Sequence, residues 1–148
     1  MSLENLAAIS QLDRITPDTR DLARLLEAAG RSLRDAQLPG LSAEGRFDMA
    51  YKAIMQAANA ALQANGYRTL TSKPGHHATM IQTLPMTIGL DRSTMVLLDT
   101  LRKQRNVVDY SWDMVSESMA AEAVLQAQRL IERVSEWMRV RFPDLSPK

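Results

Sequence analysis

There is no cysteine among the 148 residues, which excludes disulfide bonds, thiolate catalysis and cysteine-built zinc sites. Glycine and proline are scarce, six of each, so long helices run uninterrupted between them. No run of about 18 apolar residues occurs, and no segment reads as a membrane-spanning helix. Charge of one sign is lacking as well: 18 Lys and Arg stand against 17 Asp and Glu, for a formal net charge of +1. A basic field over the whole surface is therefore excluded, and any contact with nucleic acid must come from a local patch. The N-terminus, MSLENLAAIS, carries acid early and has no basic start. It does not read as a signal peptide, and a cytoplasmic location is the default expectation. What is present is ordinary for a globular chain: 45% hydrophobic and 24% charged residues, in a length close to one domain at roughly 150 residues each.

Strand signals are almost missing, because β-branched residues are sparse and no stretch alternates cleanly. Helical spacing is nearly continuous. A first helix is expected from Thr16, with Thr16 as cap, Pro17 in the first turn and Asp18 favoured by the helix dipole. Its stripe is Leu22, Leu25, Leu26, Ala29, Leu33 and Ala36, and Pro39-Gly40 ends it. A second runs from about Ser42 to Asn65, with Gly66 in the left-handed position after it. A shorter third spans His76 to Leu84 and stops at Pro85, and a fourth spans Asp91 to Asn106. The fifth runs from Ser116 to Arg141, with Pro143 as its stop. The pattern predicts an all-α fold: a single bundle of four long helices and one short one. The bundle would occupy about residues 17–142 of a single 1–148 domain, with flexible termini at 1–15 and 143–148.

The stretch Leu101-Arg102-Lys103-Gln104-Arg105-Asn106-Val107-Val108-Asp109-Tyr110 concentrates cations at the expected end of the fourth helix. Two readings stand. Arg102, Lys103 and Arg105 can complement the helix dipole, with Asn106 as a C-terminal cap. Alternatively, Arg102, Arg105 and Asn106 project from neighbouring turns and offer planar forks to phosphate oxygens. His76 and His77 are the sole histidines and are adjacent, about 100° apart on a helix, with no carboxylate at helical metal-site spacing. No metal or other cofactor is expected. They read as hydrogen-bonding residues at a helix start, and one of them reaching the Arg102–Arg105 region is a further arrangement that nothing in the sequence places. In Arg46-Phe47-Asp48-Met49-Ala50-Tyr51, Asp48 suits the helix start, and Tyr51 is either a core aromatic or a phenol with a partner. The nine methionines read as adaptable core filling or as a flexible apolar pocket. There is no glycine-rich phosphate loop, serine elbow or paired-carboxylate motif.

The run from Leu101-Arg102 through Arg105-Asn106 to Tyr110 resembles the motif region of HEPN domains. Arg46 to Tyr51 and Gly75-His76-His77 supply companion matches in the same order. The resemblance covers about residues 17 to 140. It implies a small helical bundle that works as a homodimer in prokaryotic toxin–antitoxin, defence or nucleotide-related systems, often as a metal-independent RNase. The family pattern is Arg, often Asn, then four to six residues and His; Arg105-Asn106 matches its first half. A variant subgroup that ends in Tyr is similar in all three places. Where the nuclease form has His, this chain has Tyr110. A phenol with a pKa near 10 is a poor base at neutral pH, although it can donate to phosphate or stack on a base. The tyrosine that partner nucleotidyltransferases adenylylate in some such toxins corresponds here to Trp112, so that modification does not carry over.

Three functions follow as expectations. The first is a catalytically weak or inactive module that binds RNA, a nucleotide or another phosphate ligand through Arg102, Arg105, Asn106 and Tyr110, with His76, His77, Arg46 and Tyr51 nearby. The second is a metal-independent endoribonuclease, with Arg105 stabilising phosphorane charge and Tyr110 or a histidine moving protons. The third is an antitoxin-like interaction protein with no ligand site. The implied partners are a second copy of the chain, RNA or nucleotide, and a cognate toxin, antitoxin or nucleotidyltransferase.

Overall fold

The computed structural model describes residues 2–111 and 114–145, and the side chains of all of these except 108–111. The chain is all-α apart from one short ribbon. Its helices are α1 (Leu3–Ala8), α2 (Thr19–Ala36), α3 (Ala43–Ala64), α4 (His76–Gln82), α5 (Leu84–Ile88), α6 (Arg92–Ser111) and α7 (Glu117–Arg141). A 3-10 turn, Pro143–Leu145, follows. Two strands, β1 (Leu12–Arg14) and β2 (Tyr67–Thr69), pair antiparallel with Asp13 opposite Arg68. No helix among the described residues is long and apolar enough to cross a membrane.

α3 is the central element. Its buried residues include Phe47, Ile54 and Leu62 and seven alanines, among them the neighbours Ala57-Ala58 and Ala60-Ala61. Consecutive buried positions leave only a narrow exposed strip, with Lys52 on it, the mark of a helix packed on most of its circumference. α2 and α7 pack along it, and α4 and α5 cover its other flank. The small alanines let these backbones come close. Across the α2–α3 contact the buried Ser32 hydroxyl donates to Gln56 Oε1 at 2.7 Å, so this polar group is satisfied.

The helix starts follow local chemistry. Ser42 Oγ accepts from the Gly45 amide at 3.0 Å, and Ser116 Oγ from the Met119 amide at 3.1 Å. Both ends of α3 and the start of α7 fall within a residue or two of where their caps predict. At α2 the cap is Asp18, not Thr16: its Oδ1 accepts from the Arg20 amide at 2.8 Å. Aspartate is the stronger cap, and Pro17 lies outside the helix. Asp91 opens α6, accepting from the Thr94 amide at 3.1 Å and from the Ser93 and Thr94 hydroxyls. Those donors hold its carboxyl down at about 2.

Four features depart from the sequence reading. Within residues 1–15, expected to be a flexible terminus, Leu3–Ala8 form α1 and Leu12–Arg14 form β1, with Leu6 and Leu12 buried. Of residues 143–148, also expected to be flexible, 143–145 make a turn against α7 and α2, and 146–148 lie outside the described residues. The strands escaped notice because three residues are too few to show alternation. Gly66 ties the ribbon to α3. It takes φ +89°, and an added Cβ would sit 3.4 Å from the Ile15 carbonyl oxygen, while its own carbonyl accepts from the Ile15 amide at 2.8 Å. Pro85 does not end the helical run but restarts it, in the first turn of α5 where its missing N–H costs nothing. Finally, α6 continues to Ser111, five residues past Asn106, because neither glycine nor proline follows to stop it.

Candidate functional site

The length of α6 changes the meaning of its cations. Asn106 is an exposed residue within the helix and not its cap, and the last turn carries no basic residue. Dipole complementation falls off within the last turn, so it does not explain Arg102 and Arg105. α6 rests on α4 and α5, with Leu98 and Leu101 buried and Val96, Leu97 and Val107 exposed. Its 99–102–105 stripe is polar. Arg102 Nε donates to Asp99 Oδ1 at 2.8 Å, and Lys103 Nζ lies 3.7 Å from Asp99 Oδ2. Arg102 and Asp99 are 17% and 13% exposed, so this pair is well screened from water.

Arg105, one turn on, reaches α3. Its Nε lies 3.4 Å from Asp48 Oδ1, and its guanidinium carbon stands 5.1 Å from the centre of the Tyr51 ring. Asp48 and Tyr51 are three residues apart and share one face of α3. Tyr51 is buried, and its hydroxyl lies 3.2 Å from His77 Nδ1 on α4. His76 closes the row, its ring edge-on to His77 at 4.6 Å. Three helices thus bring Asp48, Tyr51, His77, Arg102 and Arg105 into one cluster. The arrangement in which a histidine reaches the arginine region is the one found, and His77 is the histidine that makes it.

His77 is held below its ordinary value of 6.5, first by burial and then by the positive charges of His76, Arg105 and Arg102. It is therefore neutral near neutral pH, and Tyr51 can donate to Nδ1. With the folded value depressed, the unfolded chain takes up the proton first as pH falls. Stability is full above about pH 6.5 and is lost as pH drops through the folded value. The melting temperature of the wild-type chain is expected to fall more steeply than that of His77→Gln as pH goes from roughly 7 to 5. Parallel melting curves against pH would remove the burial argument.

Other expected site residues lie elsewhere. Arg46 points to α2, where its Nη1 donates to the Ala36 carbonyl at that helix's end. It tethers a helix and does not join the cluster. Asn106 is on α6 but exposed. The side chain of Tyr110, and all of Trp112, lie outside the described residues. Among the described residues no group of three or more His, Asp or Glu is placed to hold a metal ion. Sequence reasoning missed Asp48 and Asp99 as partners of the arginines. Asp99 was open to discovery, since Asp–Arg at i,i+3 and Asp–Lys at i,i+4 face each other on any helix. Asp48 was not, being 57 residues from Arg105. Among the described residues the buried Oε1 of Gln104 on α6 has no hydrogen-bond partner, which is costly for an acceptor away from water.

No family model, no curated protein and no solved structure matches the chain.

Proposed function

We propose that the Asp48–Tyr51–His77–Arg102–Arg105 cluster binds a phosphate-bearing ligand, RNA or nucleotide, as the resemblance to HEPN domains implies. The observation that carries the reading is Arg105 set against Tyr51, with the neutral His77 behind it. A guanidinium matches the geometry of phosphate oxygens. The two carboxylates orient the arginines until a stronger anion competes for them. The dimer and the toxin–antitoxin or defence setting belong to the same proposal.

One observation favours the nuclease variant of this reading. His77 occupies the arginine neighbourhood although the motif position holds Tyr110. The neutral imidazole of His77 can take the proton of an RNA 2′-hydroxyl through Tyr51, whose phenol would accept that proton as it passes its own to Nδ1 and as the 2′ oxygen attacks the adjacent phosphorus. Arg105 would stabilise the added negative charge, and the bond to the 5′ oxygen would break as that oxygen takes a proton from water, the proton on His77 returning to the hydroxide so formed.

The test uses a labelled single-stranded RNA in the presence of chelator, read first for binding and then for cleavage. Arg105→Ala is expected to weaken binding by about ten- to a hundredfold, the worth of one or two charge-assisted hydrogen bonds. Unchanged affinity would end the proposal. Cleavage lost in His77→Gln while binding persists would select the nuclease variant; binding without cleavage would select the module.

A further inference from the structure

A second group of arginines lies away from that cluster. A cavity of about 990 Å³ opens between α2 and the C-terminal end of α7. Arg31 and Arg34, three residues apart on α2, and Arg139 on α7 line it. Each is exposed, and none makes an ion pair among the described residues. This is notable for Arg31, because Glu27 stands one turn away at the spacing where such pairs form. Arg20, at the rim, is 3.9 Å from Asp18. The floor is apolar, made by Leu26 and Met138.

Gly30 is in that floor, in the middle of α2. A glycine inside a helix costs about 1 kcal/mol relative to alanine. Here it removes the side chain that would stand beneath Arg34: an added Cβ would lie 3.5 Å from Arg34 Nη1. With no side chain at position 30, the Arg34 guanidinium lies close against the helix backbone in the cavity wall. Pockets of about 300–1,000 Å³ hold ligands of nucleotide size, with apolar walls and a few placed polar groups.

We propose that this cavity binds a nucleoside di- or triphosphate. Its phosphates would lie against Arg31, Arg34 and Arg139, whose forks suit two or three adjacent anionic groups. The base would rest on Leu26 and Met138. Glu27 and Asp144, on the same walls, offer acceptors to ribose hydroxyls. The site is independent of the Arg105 cluster.

Calorimetric titration of the whole chain with ATP and GTP tests this, with inorganic triphosphate and adenosine as separate arms. Arg34→Ala and Arg139→Ala are each expected to weaken nucleotide binding at least about tenfold. Gly30→Leu should abolish it; this change fills the floor, removes no charge and raises helix propensity, so unfolding cannot account for the loss. Lys52→Ala, which removes a charge from the exposed side of α3 outside the cavity wall, should leave it unchanged, and adenosine alone should not bind. Inorganic triphosphate should bind at least about tenfold more weakly than ATP. The proposal is overturned by no nucleotide binding at millimolar concentration, by binding indifferent to Arg34, Arg139 and Gly30, or by triphosphate binding as tightly as ATP. Nucleotide binding lost in Arg105→Ala but retained in Arg34→Ala would overturn it while supporting the site on α6.

Discussion

Phe47→Ala is expected to destabilise the chain by about 3–5 kcal/mol, a large share of the 5–15 kcal/mol typical of a domain. Phe47 is 1% exposed in the second turn of α3, between Arg46, which turns to α2, and Asp48, which turns to α6. Truncation there removes the transfer free energy of the ring. It also leaves a cavity that the neighbouring helices cannot close without breaking those two outward contacts. At this chain length, the melting temperature should fall by roughly 10 °C or more. A drop below about 1 kcal/mol in denaturant unfolding would mean that the ring is not enclosed as described.

The opposite change on the same helix has the second largest expected effect. Ala57→Leu adds volume at a fully buried position of α3. Overpacking of this kind costs about 1–3 kcal/mol and forces side chains off their rotamers. Lys52 is the internal control, because it is exposed on the same helix. Lys52→Leu should change stability by no more than about 0.5 kcal/mol. Equal effects at the two positions would show that helix propensity, and not close approach, governs α3. Chemical denaturation with matched slopes decides between them.

These two residues also show what was legible beforehand. Ser42, Gly66 and Ser116 carry their message in a few adjacent residues, so the ends of α3 and the start of α7 could be read directly. The stripe of α2 and the seam of α7 follow a period of 3.6 and could be read as well. Contacts between distant segments could not. β1 and β2 are three residues each, and what fixes them is their pairing. Asp48 looked like a helix-start acid because its partner lies on another helix. The end of α6 was misplaced because Asn106 permits a cap without requiring one. Within the candidate site, the residue types on α3, α4 and α6 were visible in the sequence. Which histidine meets which arginine depended on how α4 leans between α3 and α6.

That leaning has an energetic consequence. α3, which holds Asp48 and Tyr51, is buried along most of its length, whereas α6, which holds Arg102 and Arg105, sends Leu98 and Leu101 into the core and rests on two short helices. Segments with few buried apolar contacts open at a fraction of the global unfolding free energy. The cluster therefore joins the most firmly held part of the chain to one of its loosest. An anion gripped by Arg105 over Tyr51 would bind α6 to α3, and part of its binding free energy would go into suppressing that opening.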